Sequence, residues 1–353
     1  MSYKSMDRTK NIKVWHGTTA ALAAALCLSL ISASALAQQP IKWKMMTLWP
    51  AGSLPQKINE EFAEKVKQRS GGRLVIEVHS GGAIVQPQES LDALSAGVLD
   101  VQNAGPGYAT GKDAAFALVG DLQGGWETPR QAMDWLYKGG GLELVRALYK
   151  KYNAHFAGGV WYGMESLVSK KPLRTLADFK GLKLRAPTGM GQDIWRILGA
   201  APVNLPGSEV YTALERGVVD ASDWGTLAMN QELGYHKLAK YPSYPGFHSM
   251  PMSDVAVNLK RWNALPEDLK KIFEAATEEF NQDMIRRNSE ADDKVAKEAK
   301  QLGVETVNLL PADRFKFREI AMGVWAQFAG RSEMAKKIYD SQVAYLRKLG
   351  LVR

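Results

Sequence analysis

The stretch from Pro266 to Gly303, PEDLKKIFEAATEEFNQDMIRRNSEADDKVAKEAKQLG, has no glycine or proline between its ends. Charged residues dominate it, and Ile272, Ala276, Phe280 and Met284 fall on one stripe at helical spacing. Such a run is a single amphipathic helix over 266–302, about 50 Å long at ~1.5 Å per residue. A rod of that length outreaches one small domain. Sustained heptads are absent, so a coiled-coil arm is disfavoured and a strut packed across two lobes is expected.

The rest of the chain alternates short strands with helices. IKWKMMTLWP reads as a strand stopping at Pro50, and LPQKINEEFAEKVKQRSGG as a helix with Ile58, Phe62 and Val66 on its stripe and glycines at its end. RLVIEVH is a strand, PQESLDALSAGVLD a helix and VQNAGPGYATGK a strand opening into a glycine-rich turn. This order predicts a parallel, helix-covered sheet. PRQAMDWLYKGGGLELVRALYKKY is one broken helix or two, and AHFAGGVWYGMESLVSKK is two strands about a kink. A second series follows: the strand KLRAP, the helix GMGQDIWRILGA, the strand APVNLP and the helix SEVYTALERGVVD, then the strand end ASDWGT. MPMSDVAVNLKRWNAL returns to strand character, GVETVNLL supplies a last strand, and the chain ends helical.

One pattern occurs twice. SLDALSAGVLDV, Ser90 to Val101, matches VYTALERGVVDA, Val210 to Ala221, in x-x-Ala-Leu-x-x-Gly-Val-x-Asp. Glycine at a helix end is enough to account for it. The alternative is that two similar α/β lobes use equivalent connections into a shared cleft. Ligands of parallel sheets sit outside the carboxyl ends of strands, so NAGPGY and SDWGT would be cleft loops.

The N-terminus reads as a leader. Lys4, Arg8, Lys10 and Lys13 precede TTAALAAALCLSLISASALA, which closes on Ala35-Leu36-Ala37. That is a secretory signal peptide over 1–37, cut after Ala37. The single cysteine, Cys27, lies inside it behind Leu26 rather than a small residue, which argues against a lipid anchor. The mature chain is then thiol-free, exported and held by its core alone. The leader holds four Lys/Arg and one Asp, so the mature chain keeps +5 of the formal +8. These charges are interspersed, as on a solvated surface, and nucleic-acid binding is poorly supported. No apolar run after Ala37 approaches the ~20 residues of a membrane span.

Nothing in the chain invites catalysis. His79, His155, His236 and His248 do not pair at metal spacing, and neither G-x-S-x-G nor a Walker loop occurs. The acidic pair Asp292-Asp293 reads as the solvated face of the long helix. What remains are aromatic and polar residues on glycine-rich loops: Trp49, Tyr108, Trp161, Tyr162 with Glu165, Asp223 with Trp224, then Tyr244, Phe247 and His248. Singly these are most often core, but on strand exits they suit a pocket wall. Trp43, Trp126, Trp135, Trp195 and Trp262 sit in strands or on helix stripes and belong to packing. Glu209 stands at a helix start, where a negative charge is favourable anyway.

Arg185 is the sharpest candidate. In KGLKLRAPTGMG it occupies the last strand position before Pro187 and Gly189. An outward charge on a half-exposed strand is the plain alternative. A guanidinium at a strand exit, however, is a planar fork for a carboxylate.

WPAG, ALSAGVLDV, LADFKGLKLRAP, ALERGVVDASDWG, the leader and the long helix together resemble the periplasmic solute-binding subunits of tripartite ATP-independent (TRAP) transporters. The resemblance covers nearly all of the mature chain, and GLKLRAP is its most specific block. It implies two α/β lobes with a cleft between them and a long helix bridging both, a periplasmic binding protein fold that closes as a Venus flytrap. It implies an extracytoplasmic receptor, not an enzyme, that passes an organic acid to TRAP membrane subunits, with Arg185 on the ligand carboxylate. The lobes would comprise 38–162 with 251–290, and 163–250 with 291–353, with 266–302 as the bridge. YATGKDAAFAL, DASDWGT and YPSYPGFHSMP resemble the branch that takes 2-oxo and 2-hydroxy acids. Some members hold a metal ion (Na+ or Ca2+) through an acidic residue beside a tryptophan; Asp223 and Trp224 match that pair. The branch usually has a glycine- and glutamine-containing loop where this chain has GGVWYGMES. Trp161 and Tyr162 there would favour a bulkier or aromatic acid. The binding residues expected are Arg185, Trp49, Tyr108, Trp161, Tyr162, Trp224 and Phe247, with Glu209, Asp223 and His248 as polar partners. The alternative is an exported enzyme acting on a carboxylic acid in the same cleft, with Asp223 or His248 as base.

Overall fold

The computed structural model describes Met1 and residues 39–187, 189–205 and 207–353. The leader, its cleavage point and Cys27 lie outside the described residues. The first series is β1 (Ile41–Thr47), α1 (Leu54–Arg69), β2 (Leu74–His79), α2 (Ser90–Ala96), β3 (Val101–Ala104), α3 (Ala115–Gly120), α4 (Pro129–Lys138), α5 (Gly141–Lys150) and β4 (Ala154–Trp161). The second is β5 (Val168–Ser169), β6 (Lys183–Arg185), α6 (Met190–Ile197), β7 (Ala201–Val203), α7 (Val210–Glu215), β8 (Ala221–Ser222) and α8 (Leu227–Glu232). The chain then continues through β9 (Met252–Asn258), α9 (Leu259–Asn263), α10 (Glu267–Glu298), α11 (Pro311–Ala329) and α12 (Glu333–Lys348).

Two sheets result, ordered β2-β1-β3-β9-β4 and β5-β8-β6-β7. β1 and β3 are parallel, as are β6 with β7 and β8. β9 departs from the parallel expectation: it returns to the first sheet and runs antiparallel to both β3 and β4. Every residue of β9 is buried, including Ser253 and Asp254. Asp254 is kept there by donors, the Tyr149 hydroxyl at 2.6 Å, the Gln102 amide at 2.7 Å and the Ala104 N–H at 2.9 Å. A buried carboxyl without such partners would cost several kcal/mol. GVETVNLL forms no strand; Val307 makes one isolated bridge to Ser243.

The long helix is present as α10, and it packs on α1 and β4 of the first sheet and on α8 beside the second. Its buried stripe is Leu269, Phe273, Ala276, Phe280 and Met284, one position away from Ile272, which is only half-buried. Phe280 stacks on Phe62 of α1 with ring centroids 5.0 Å apart. Two of the helix's buried polar side chains bond to other elements. The Trp161 N–H at the end of β4 donates to Asn281 at 2.9 Å. Asp292 accepts from the Thr226 hydroxyl and the Ala228 N–H, each at 2.7 Å, at the start of α8. Asp292 is therefore buried and functions as a helix cap supplied from outside α8, not as part of a solvated face. Near the C-terminus α11 packs on both α3 and α6, whereas α12 packs on α3 and α5. No helix among the described residues is long and apolar enough to cross a membrane.

Candidate binding cavity

A cavity of about 640 Å³ opens at the exits of the strands, lined from both series. Leu184 and Ala186 flank Arg185 and are buried in the core, and Lys183 at the other end of the three-residue β6 is exposed. The alternation that puts Lys183 in water thus turns Arg185 into the cavity, where it is 5% exposed. Its Nε donates to the Leu205 carbonyl at 3.0 Å and its Nη1 to the Asp223 carbonyl. The guanidinium lies 5.1 Å from the ring centroid of Trp224. These contacts fix the fork and leave Nη2 with no protein acceptor among the described residues. Gly207 makes room for the Trp224 ring, since a Cβ there would come within 2.4 Å of it.

Opposite this cation is a buried acidic group. Glu165, Asp223 and His248 bring donor atoms within 4.8 Å of one another. His248 Nε2 is 3.0 Å from Asp223 Oδ1, and the Trp195 indole N–H reaches Asp223 Oδ2 at 3.5 Å. Glu165 Oε1 accepts from the Tyr162 hydroxyl at 3.1 Å and the Gly225 N–H at 3.2 Å. Asp121, at the end of α3, accepts from the Met250 N–H at 3.1 Å. The Ser249 hydroxyl lies 2.7 Å from Asp121 and 2.9 Å from Glu165. A hydroxyl has one hydrogen, so one of these carboxyls must be protonated for both contacts to be hydrogen bonds.

The electrostatics agree with that count. Burial pushes Glu165 well above the usual carboxylate range, and the charges of Asp223 and Asp121 add to it. Burial also raises Asp121, to about 7, with Asp223 contributing and the Ser249 hydrogen bond opposing. Burial would raise Asp223 too, but the positive charge of His248, hydrogen bonds from His248 and Glu165, and Arg185 outweigh it and hold Asp223 below its ordinary value. In this pair Glu165 carries the proton and Asp223 the charge.

Of the expected residues, Arg185, Trp49, Tyr108, Tyr162, Asp223 and Trp224 line the cavity. Trp49 and Tyr162 meet edge-to-face at 4.9 Å, and the Trp49 indole N–H donates to Asn103 at 3.1 Å. His248 is fully buried behind Asp223. Trp161, Phe247 and Glu209 do not line the cavity. Trp161 is buried at the end of β4, and Phe247 packs edge-on against Phe179 and Phe317. Glu209 is exposed at the start of α7. Asp121, Ser249 and Gln123 also line the cavity and escaped the sequence reading. Asp121 had a signal: it is the one charge in the apolar run AAFALVGDL. Trp195, assigned to packing, does pack, and its N–H also reaches Asp223.

Two lobes bridged by a long helix, with a buried guanidinium in a strand-exit cavity, define an extracytoplasmic solute receptor. The chain belongs to the bacterial extracellular solute-binding proteins, family 7, whose family model matches residues 45–331. It is 31% identical over 352 residues, 98% of this chain and 95% of the relative, to a monocarboxylate 2-oxoacid-binding periplasmic protein of Nostoc sp. strain PCC 7120. Among solved structures it resembles a TRAP transporter solute binding protein from Bordetella bronchiseptica with copurified calcium and picolinate. That match has a TM-score of 0.79 at 28% identity over 88% of this chain and 93% of that one. It also resembles a TRAP periplasmic solute binding protein from Pseudoalteromonas atlantica with bound sodium and pyruvate, with a TM-score of 0.76 at 27% identity over 88% and 95%. Proteins of this family are transport receptors, and the exported-enzyme alternative falls with that membership.

Proposed function

We propose that the chain is a periplasmic receptor for a 2-oxo or 2-hydroxy acid, which it delivers to TRAP membrane subunits after removal of residues 1–37. The observation that carries this reading is Arg185, buried, held by two carbonyls and with no acceptor for Nη2 among the described residues. One charge-assisted bond in such a place contributes about 1.5–3 kcal/mol. Trp49, Tyr108, Tyr162 and Trp224 would form the walls. Four aromatic walls in a cavity of about 640 Å³ also favour an aromatic acid as the bulkier variant.

A cation fits beside the ligand. Glu165 and Asp223 bring carboxylate oxygens together on the cavity wall, and oxygen donors suit a hard ion such as Ca2+ or Na+. Glu165, Asp223 and the Trp224 carbonyl would hold it, and His248 would orient Asp223 from behind. The ion would supply positive charge for the carboxylate and for an oxygen on the neighbouring carbon, which pyruvate presents. In this reading the lobes are 38–162 with 251–290 and 163–250 with 291–353, bridged by 266–302. The packing of α12 on α3 and α5 supports moving the C-terminal helix to the first lobe. The test is native mass spectrometry of the purified protein followed by calorimetry with pyruvate, with and without calcium. A co-purified organic acid and calcium-dependent heat are expected. Absence of binding by any 2-oxo or 2-hydroxy acid would remove the reading.

A further inference from the structure

The cavity has a second polar wall that Arg185 and the carboxyls do not use. It is the first turn of α6, where Gly189, Met190 and Gly191 line the cavity. Gly189 occupies the cap position at φ 122°, a conformation open to glycine, and no side chain among the described residues caps the helix. The N–H groups of Met190, Gly191 and Gln192 have no acceptor among the described residues. Asp193 does not fill the gap, because its carboxylate pairs with Arg196 at 2.8 Å. A second observation points to the same place. Gln123 is 4% exposed, and its Oε1 is buried with no partner. Its amide lies directly over the turn: a Cβ on Gly191 would be 2.8 Å from Nε2 and 2.9 Å from Oε1.

We infer that the first turn of α6, together with the Gln123 amide, is a subsite for an anionic or hydrogen-bond-accepting group at the far end of the ligand. The inference rests on the proposed binding of an acid through Arg185 and narrows the ligand within that class. Free N–H groups at a helix start carry partial positive charge and attract anions. A flipped Gln123 amide adds a donor at no cost in shape. The cavity volume of about 640 Å³ falls in the ~300–1,000 Å³ range of pockets for extended ligands, well beyond a three-carbon acid. The site therefore selects an acid with two separated polar ends.

The test is calorimetry with two five-carbon 2-oxo acids, 2-oxoglutarate and 2-oxopentanoate, which differ only in the terminal carboxylate. The full chain should prefer 2-oxoglutarate by about 10-fold or more. Gln123→Leu should shrink that ratio to about threefold or less while leaving 2-oxopentanoate within about twofold. Gln123→Glu, a near-isosteric second variant, should weaken 2-oxoglutarate further by opposing its charge. Equal affinity for both acids in the wild type, equal losses for both in either variant, or binding of neither acid would overturn the inference. Arg185→Ala separates the two ideas: it should lose both acids alike. If it loses neither while the Gln123 pattern holds, the carboxylate assignment fails and the subsite stands.

Discussion

The turns at Gly97 and Gly217 can be followed atom by atom through the same path. Both glycines are left-handed, at φ 79° and 72°. The next residues, Val98 and Val218, are 50% and 48% exposed, and each returns its N–H to the helix at 2.9 Å, on Ala93 and Ala213. Leu99 and Val219 then enter the core, and Asp100 and Asp220 donate their N–H groups to Lys44 and Lys183 of the neighbouring strands at 2.9 and 2.8 Å. Beyond these aspartates the copies part. β3 leads to Tyr108, a phenol raised above its ordinary range by burial. β8 leads to Asp223 and Trp224, the charged centre of the cavity. The shared turn is architecture, because glycine and the buried aliphatic are required by the crossover itself. The strand exits carry the chemistry, because there the backbone is released from the sheet and its side chains face one another.

The difference predicts unequal consequences. The largest belongs to the exit of the second series: Arg185→Ala should weaken a bound 2-oxo acid about 100-fold or more by calorimetry while the fold survives. Unchanged affinity would place the clamp elsewhere. Next is Asp121, which titrates at about 7 when folded, above its ordinary 3.8. A raised carboxyl binds its proton more tightly folded than unfolded, so its contribution is fullest below about pH 4 and is lost as pH rises through 7. In chelator, Asp121→Asn should flatten the fall in stability between pH 4 and pH 8 by up to a few kcal/mol, read from denaturant melts. An unaltered slope would show that the carboxyl titrates normally. Third, Gly207→Ala must displace the Trp224 ring and should cost about 10-fold in affinity with little change in melting temperature. The smallest effects belong to the shared turns. Gly97→Ala and Gly217→Ala should each cost about 1 kcal/mol of stability and leave affinity untouched. A loss of binding in one of them would break the separation of turn from exit.

That separation also explains what could be read in advance. The α10 rod, both βα series and the repeated turn rest on local patterns of period and glycine, and the sequence displays them directly. Arg185 was legible because strand alternation and the Pro-Thr-Gly exit point to one position. β9 was harder: its antiparallel insertion between β3 and β4 depends on a chain return from a distant lobe. Ser249 and Gln123 are ordinary polar loop residues until the fold sets them beside Asp121, Glu165 and Gly191. Trp161 and Phe247 looked like wall residues, yet the end of β4 and the loop that carries Phe247 turn them inward to the core. Asp292 looked solvated because its partners, Thr226 and Ala228, are more than 60 positions away.

Asn281 and Asp292 are eleven residues apart on α10, three turns and about 16 Å, and so lie on one face. One holds the strand end that runs on to Glu165; the other holds the loop that carries Asp223. The helix thereby acts as a ruler, setting the spacing of the two backbone anchors by its pitch rather than by contact between the halves. A one-residue insertion between those positions would rotate one mark by 100° and leave the other where it was.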